Sequence, residues 1–72
     1  MNKDTFLTSL KNLLQIQEEI SEQTYLFDLD EWDSLAMMSV VAFFDKELGK
    51  KITVSELQKL DTVQQLIDLA LY

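Results

Sequence analysis

Apolar residues Phe6, Leu10, Leu13 and Leu14, with Gln17 in the same register, fall at i, i+4, i+7, i+8 and i+11. That spacing gathers them on one stripe of a helix, leaves Thr8, Lys11, Asn12 and Gln15 on the polar side, and predicts a first amphipathic helix from about residue 4 to 17. Asp4, near its start, suits the positive end of the helix dipole. From Glu18 to Asp33 the periodicity decays, although Ile20, Tyr25, Leu26, Phe27, Leu29 and Trp32 are apolar enough to pin the segment onto the helices. A long connection inside a compact chain is usually functional or disordered, and this apolar content favours the former.

A second helix is expected to open at Asp33-Ser34, because Asp and Ser side chains accept hydrogen bonds from the unpaired N–H groups of a first turn. Leu35, Met38, Val41 and Leu48, with Phe44 between, fit one face. Gly49 stands where a left-handed stop is usual, and Lys46, Lys50 and Lys51 suit the negative end of the dipole. The pattern predicts a helix over 34–48. After Ile52, Thr53-Val54-Ser55-Glu56 has the form of a capping box and opens a short third helix to about Leu60. Thr62-Val63-Gln64-Gln65 repeats the form, and Val63, Leu66, Ile67 and Ala70 make the stripe of a fourth helix. The expected fold is all-α: one domain over residues 1–72, with four helices, the third short, and a long loop between the first two.

Composition narrows what such a bundle can be. A chain of 72 residues has a small core and a net stability of only a few kcal/mol. With no cysteine and no histidine it can form no disulfide, and it lacks the ligands of the commonest zinc sites. The hydrophobic fraction of 47% suffices for a packed bundle, while one glycine and no proline supply few of the breakers a turn-rich β fold needs. The formal net charge of -7 repels phosphate backbones and anionic lipid, so neither nucleic acid nor a membrane surface is an expected partner. No basic residue lies between Lys11 and Lys46, whereas Glu18, Glu19, Glu22, Asp28, Asp30, Glu31, Asp33 and Asp45 all fall there. The longest apolar run, near 35–44, is too short to cross a bilayer, and no secretory signal is visible at the N-terminus; the chain reads as a cytoplasmic monomer.

One residue stands apart chemically: Ser34, at the seam between the acidic loop and the apolar helix. A nucleophilic serine needs a base, and there is no histidine and no lysine within ten residues on either side. Paired carboxylates of the glycosidase kind need a cleft that so small a bundle does not offer. Asp28-Leu29-Asp30 starts like a calcium loop, but the fifth position is Trp32, the sixth Asp33 and the twelfth Ser39, where an oxygen ligand, a glycine and a glutamate belong. Two readings stay open: Ser34 caps the helix, worth about 1 kcal/mol, or it is an exposed acceptor for another enzyme's chemistry, at a helix N-terminus where a phosphodiester would meet N–H donors.

Asp33-Ser34-Leu35, preceded by Leu29 and Trp32 and followed by a helix ending near Asp45-Lys46-Glu47-Leu48-Gly49, resembles the modification-site region of acyl carrier proteins. The Trp-Asp-Ser-Leu form is similar to stand-alone D-alanyl and related acyl or aminoacyl carriers. The likeness covers nearly the whole chain, including Ile52 before the short third helix and Asp61-Thr62-Val63 at the start of the last. It implies an acyl-carrier-like bundle in which a phosphopantetheinyl transferase, using coenzyme A and magnesium, attaches 4′-phosphopantetheine to Ser34, with Asp33 and Leu35 read as flanks. The arm's thiol would then hold an acyl or aminoacyl group as a thioester, chemistry that belongs to the cofactor because the chain has no thiol of its own. The protein is then a carrier and a substrate, not an enzyme, and has no metal site. Its other partners are an adenylating acyl or aminoacyl ligase and an acyltransferase or synthase, docking near Glu31, Trp32, Met37 and Met38.

The chain departs from the fatty-acid carriers along helix two, where Ala36, Met37, Ser39, Ala42 and Phe43 replace a markedly acidic face. Met37 and Phe43 either fold into the core or form an adaptable apolar patch. Trp32, Phe43 and Phe44 are expected to fill the interior and to favour a short or polar cargo. The reading from another class is a small acidic interaction or regulatory module with no prosthetic group, in which Ser34 is only a cap.

Overall fold

A computed structural model describes all 72 residues. Helix α1 spans Lys3–Leu14 and opens on Asn2, whose side chain accepts from the Thr5 N–H at 2.8 Å. It buries Phe6 and Leu10. The helix ends three residues before the predicted 17 because Gln15 adopts a left-handed conformation (φ 57) and turns Ile16 into the core at 5% exposure. Gln17 is exposed and belongs to the loop rather than to the stripe.

The long connection has an internal order that its sequence hides. A 3-10 turn covers Leu26–Asp28, and Leu26, Leu29 and Trp32, three residues apart, all point inward. Tyr25 and Phe27, expected to help pin the segment, are 59% exposed each. Main-chain bonds do much of the pinning: Leu26 N–H donates to the Asp61 carbonyl (2.8 Å), Val63 N–H to Thr24 (2.9 Å) and Gln64 N–H to Glu22 (2.9 Å), around an antiparallel bridge between Tyr25 and Thr62. The loop thus reaches Asp33 from a fixed direction, tied to the start of the last helix.

Helix α2 spans Ser34–Phe43 and passes without a break into a widened π turn over Phe44–Leu48, closed by Gly49 in the left-handed region (φ 65). The Phe44 carbonyl accepts from the N–H groups of both Gly49 and Lys50. At this widening the Phe6 ring lies 6.2 Å from Phe43 and 6.1 Å from Phe44, the second pair edge to face, a favourable aromatic arrangement. The buried side of α2 is Ala36, Met37 and Val40, continued by Phe44, rather than Leu35, Met38 and Val41. Leu35 is 70% and Met38 54% exposed, and Val41 and Leu48 are only partly covered. The segment SLAMMSVVAF is apolar all round, so its own pattern specifies no inward face.

Helix α3 spans Val54–Gln58 and ends short of Leu60. Thr53 Oγ1 accepts from the Glu56 N–H, but its hydroxyl, not its N–H, meets the Glu56 carboxylate, so only half of the expected box forms. Helix α4 spans Val63–Leu71 with the full box between Thr62 and Gln65, and buries all four residues of its stripe. Side chains from every helix and from the loop meet in one apolar core containing no polar or charged residue. The architecture is the expected all-α bundle with a short third helix. No helix is long and apolar enough to cross a membrane.

Candidate functional site

Asp33 is extended (φ -127, ψ -175), and its carboxylate accepts from the Ala36 N–H at 2.8 Å while its carbonyl accepts from Met37 N–H at 2.9 Å. These two bonds complete the cap. Ser34 is therefore the first residue of the helix rather than its cap: it is exposed, and its hydroxyl makes no hydrogen bond within the chain. The N–H groups of Ser34 and Leu35 also have no acceptor in the chain. An unengaged hydroxyl next to two free donors at the positive end of a ten-residue helix suits a phosphodiester, whose oxygens those donors can meet. The chain has no histidine that could take the hydroxyl proton.

Asp33 and Leu35 are both exposed beside Ser34. The four residues expected at partner contacts divide: Met38 is on the surface and Glu31 is half-buried, whereas Trp32 at 6% and Met37 at 4% are core residues. The rotation of α2 turns Met37 inward, and the loop's inward period of three takes Trp32 with Leu29. The surface apolar pair is Leu35 and Met38. Phe43 is partly buried against the core, so it is neither fully interior nor free.

Sequence reasoning missed a shallow groove between the end of α1 and α2. Its upper part, about 380 Å³, is lined by residues that include Leu13, Gln15, Glu31, Asp33, Leu35 and Ser39. A neighbouring hollow of about 360 Å³ is lined by Ala42, Phe43, Lys46 and Glu47, together with Leu13 and Ser39, which also line the first. The available signal was the run of small residues Ala36, Ser39 and Ala42 along an otherwise bulky helix. Two buried polar atoms lie in the segment leading to Ser34 without a hydrogen-bond partner: Glu31 Oε1 and Trp32 Nε1.

The chain is thus an all-α bundle with an exposed, uncommitted hydroxyl at the start of its second helix. The family model described as the phosphopantetheine attachment site matches residues 4–70, and the chain belongs to that family, the acyl-carrier-like proteins. No curated protein and no solved structure matches the chain. The family's prosthetic group is covalent 4′-phosphopantetheine, so the chain is a phosphopantetheine-bearing carrier. Carrier domains of this kind are in general not catalytic; they work with a phosphopantetheinyl transferase and with synthases or ligases.

Proposed function

We propose that Ser34 is the attachment residue and that the loaded protein holds a short or polar acyl or aminoacyl group as a thioester for partner enzymes. The observation that carries this reading is the division of labour at the helix start: Asp33 does the capping, so the neighbouring hydroxyl is left for modification. The Ser34 and Leu35 N–H groups would hold the phosphodiester, and the attached group would supply the thiol. Asp33 and Leu35 are the side chains beside Ser34 that a phosphopantetheinyl transferase would read.

The cargo class follows from the interior. Phe6, Leu26, Val40, Phe44, Leu57, Val63 and Leu66 are each 0% exposed, and Trp32 and Met37 are buried in the same core. Sheltering a long chain there would mean displacing packed side chains, at the cost that overfilling a core carries. A small or polar group that stays outside requires no such change. An adenylating ligase would load it and an acyltransferase or synthase would take it off.

The test is to incubate the pure protein with coenzyme A, magnesium and a promiscuous transferase, and to weigh it. The carrier reading requires one added phosphopantetheinyl group that is lost in Ser34→Ala. An unchanged mass would return the protein to the class of small acidic interaction modules.

A further inference from the structure

The outward face of α2 is apolar for most of its length and ends on a lysine. Leu35, Met38 and Ala42 lie at i, i+3 and i+7, which puts all three on one row of the helix surface, and Lys46 follows at i+11. Leu35 and Met38 are the exposed large apolar side chains of the helix; Ala42 and Lys46 are also on the surface and line one hollow. Ser34 stands one turn before Met38, at the edge of the row. From Leu35 to Lys46 the row runs roughly 16 Å at the rise of an α-helix.

The two ends of the row carry opposite charge. Asp28, Asp30 and Asp33 are exposed ahead of Ser34, and no cation of the chain pairs with them. At the far end the lysines divide by what already holds them. Lys51 pairs with Asp45 at 2.9 Å, and Lys50 donates to the Leu69 carbonyl at 3.2 Å, whereas Lys46 meets no acceptor in the chain. Glu47, one step round the helix in the same hollow, has no cation either. Like charges brought face to face across an interface are costly, so a row with unlike ends selects both the partner and the direction in which it lies.

We propose that Lys46 sets the direction in which a partner enzyme lies along this row. The partner that fits is a protein face with an apolar strip, a basic group at the end that meets Asp33 and an acidic group at the end that meets Lys46. The inference rests on the attachment proposed above, because the basic end is the one that brings the partner's chemistry to Ser34. The acidic loop alone would draw in any basic surface and leave it free to turn. A second contact of opposite sign at the far end of the row allows one orientation, and a partner that is basic throughout meets repulsion there.

The experiment holds a stand-in for the partner on the arm. A designed amphipathic helical peptide, long enough to reach from Leu35 to Lys46, carries arginines in its first turn and glutamates in its last; a second peptide has the two exchanged. Each is joined by its N-terminus to the thiol of coenzyme A and transferred to the protein by a promiscuous transferase, and the mass is checked. Tethering raises the effective concentration enough for a weak contact to be read from backbone amide shifts. The expected result is shifts along Met38, Ala42 and Lys46 with the first peptide only. The ratio of docked to free peptide should fall about threefold in Lys46→Gln, the scale of one exposed ion pair. It should hold in Lys59→Gln, which removes an unpaired lysine at the end of α3. Equal shifts from both peptides would overturn the role of Lys46, as would a preference for the second peptide that is lost in Glu47→Gln. An absence of shifts along the row would overturn the docking line itself. All of these leave the attachment intact, since the mass has been gained; failure to gain it overturns attachment and docking line together.

Discussion

The Asp33 carboxylate accepts the Ala36 N–H at 2.8 Å, and this bond leaves the hydroxyl of the next residue, Ser34, uncommitted. Two adjacent substitutions therefore have opposite effects. Asp33→Ala removes the cap and lowers stability by about 1 kcal/mol, which in a chain of this size corresponds to roughly 4–8 °C in Tm. Ser34→Ala removes no internal contact and stays within about 0.5 kcal/mol of the parent, yet abolishes phosphopantetheinylation. Urea titration and intact mass measure the two properties on the same samples. If Ser34→Ala proved the more destabilising of the two, Ser34 would be the cap and Asp33 its accessory.

Neighbouring methionines give a second contrast. Met37 is 4% exposed and Met38 54%, one step apart on the same helix. Met37→Ala opens a hole beneath α2 and costs about 2–5 kcal/mol, enough to unfold much of a small domain at ambient temperature. Met38→Ala leaves the unfolding midpoint within about 0.5 kcal/mol of the parent. Circular dichroism of both variants decides whether the helix is rotated as described, since exchanged effects would put Met38 inward.

The termini of the helices were the most legible part of the sequence. Asp33-Ser34, Gly49, Thr53 and Thr62 are local signals, and each marks a start or stop in the structure because capping depends on a few adjacent residues. The stripe of α4 was equally clear, since polar Gln64, Gln65 and Asp68 bound it. The inward face of α2 was not, because an almost wholly apolar segment has no polar side to set against an apolar one. Its rotation is decided by Asp33 and by the loop, and the loop is positioned by bonds from Leu26 to Asp61 and from Val63 to Thr24, distant in sequence. The end of α1 was overrun because Gln15 takes a left-handed conformation that glycine or asparagine would have announced. At the site, Ser34 and its flanks stood out by type and position. The groove depends on two helices meeting and could not be seen in either alone.

That left-handed pair gives a third prediction. Gln15 (φ 57) and Gly49 (φ 65) share a backbone conformation that costs a residue with a Cβ about 1–2 kcal/mol. Gly49→Ala meets no atom within 4 Å, so its loss of stability is backbone strain alone, about 1 kcal/mol. Gln15→Gly relieves the same strain, offset by the larger entropy of glycine in the unfolded chain, and raises stability by up to about 1 kcal/mol. Chemical denaturation of the two variants should shift the midpoint in opposite directions. A loss of stability in Gln15→Gly would mean that side-chain contacts of Gln15 outweigh the strain.

The placement of unpaired charge sets the last prediction. The ion pairs are Lys3–Glu22, Lys11–Glu19 and Lys51–Asp45, so none neutralises Asp28, Asp30, Glu31 or Asp33. Those four carboxylates lie within six residues of Ser34, and their field is directed at whatever approaches its hydroxyl. A transferase with a basic docking face is drawn in by this field over distances of about one Debye length, roughly 10 Å at 0.1 M salt. Raising sodium chloride from 50 to 500 mM is expected to lower the second-order rate of modification by about tenfold, within the range of electrostatic steering. Asp28→Asn with Asp30→Asn should lower the rate at low salt and flatten its salt dependence, while Glu22→Gln, which breaks a remote pair, leaves the slope unchanged. A rate that is indifferent to salt in the parent protein would assign recognition to Leu35 and Met38 instead of to the acidic loop.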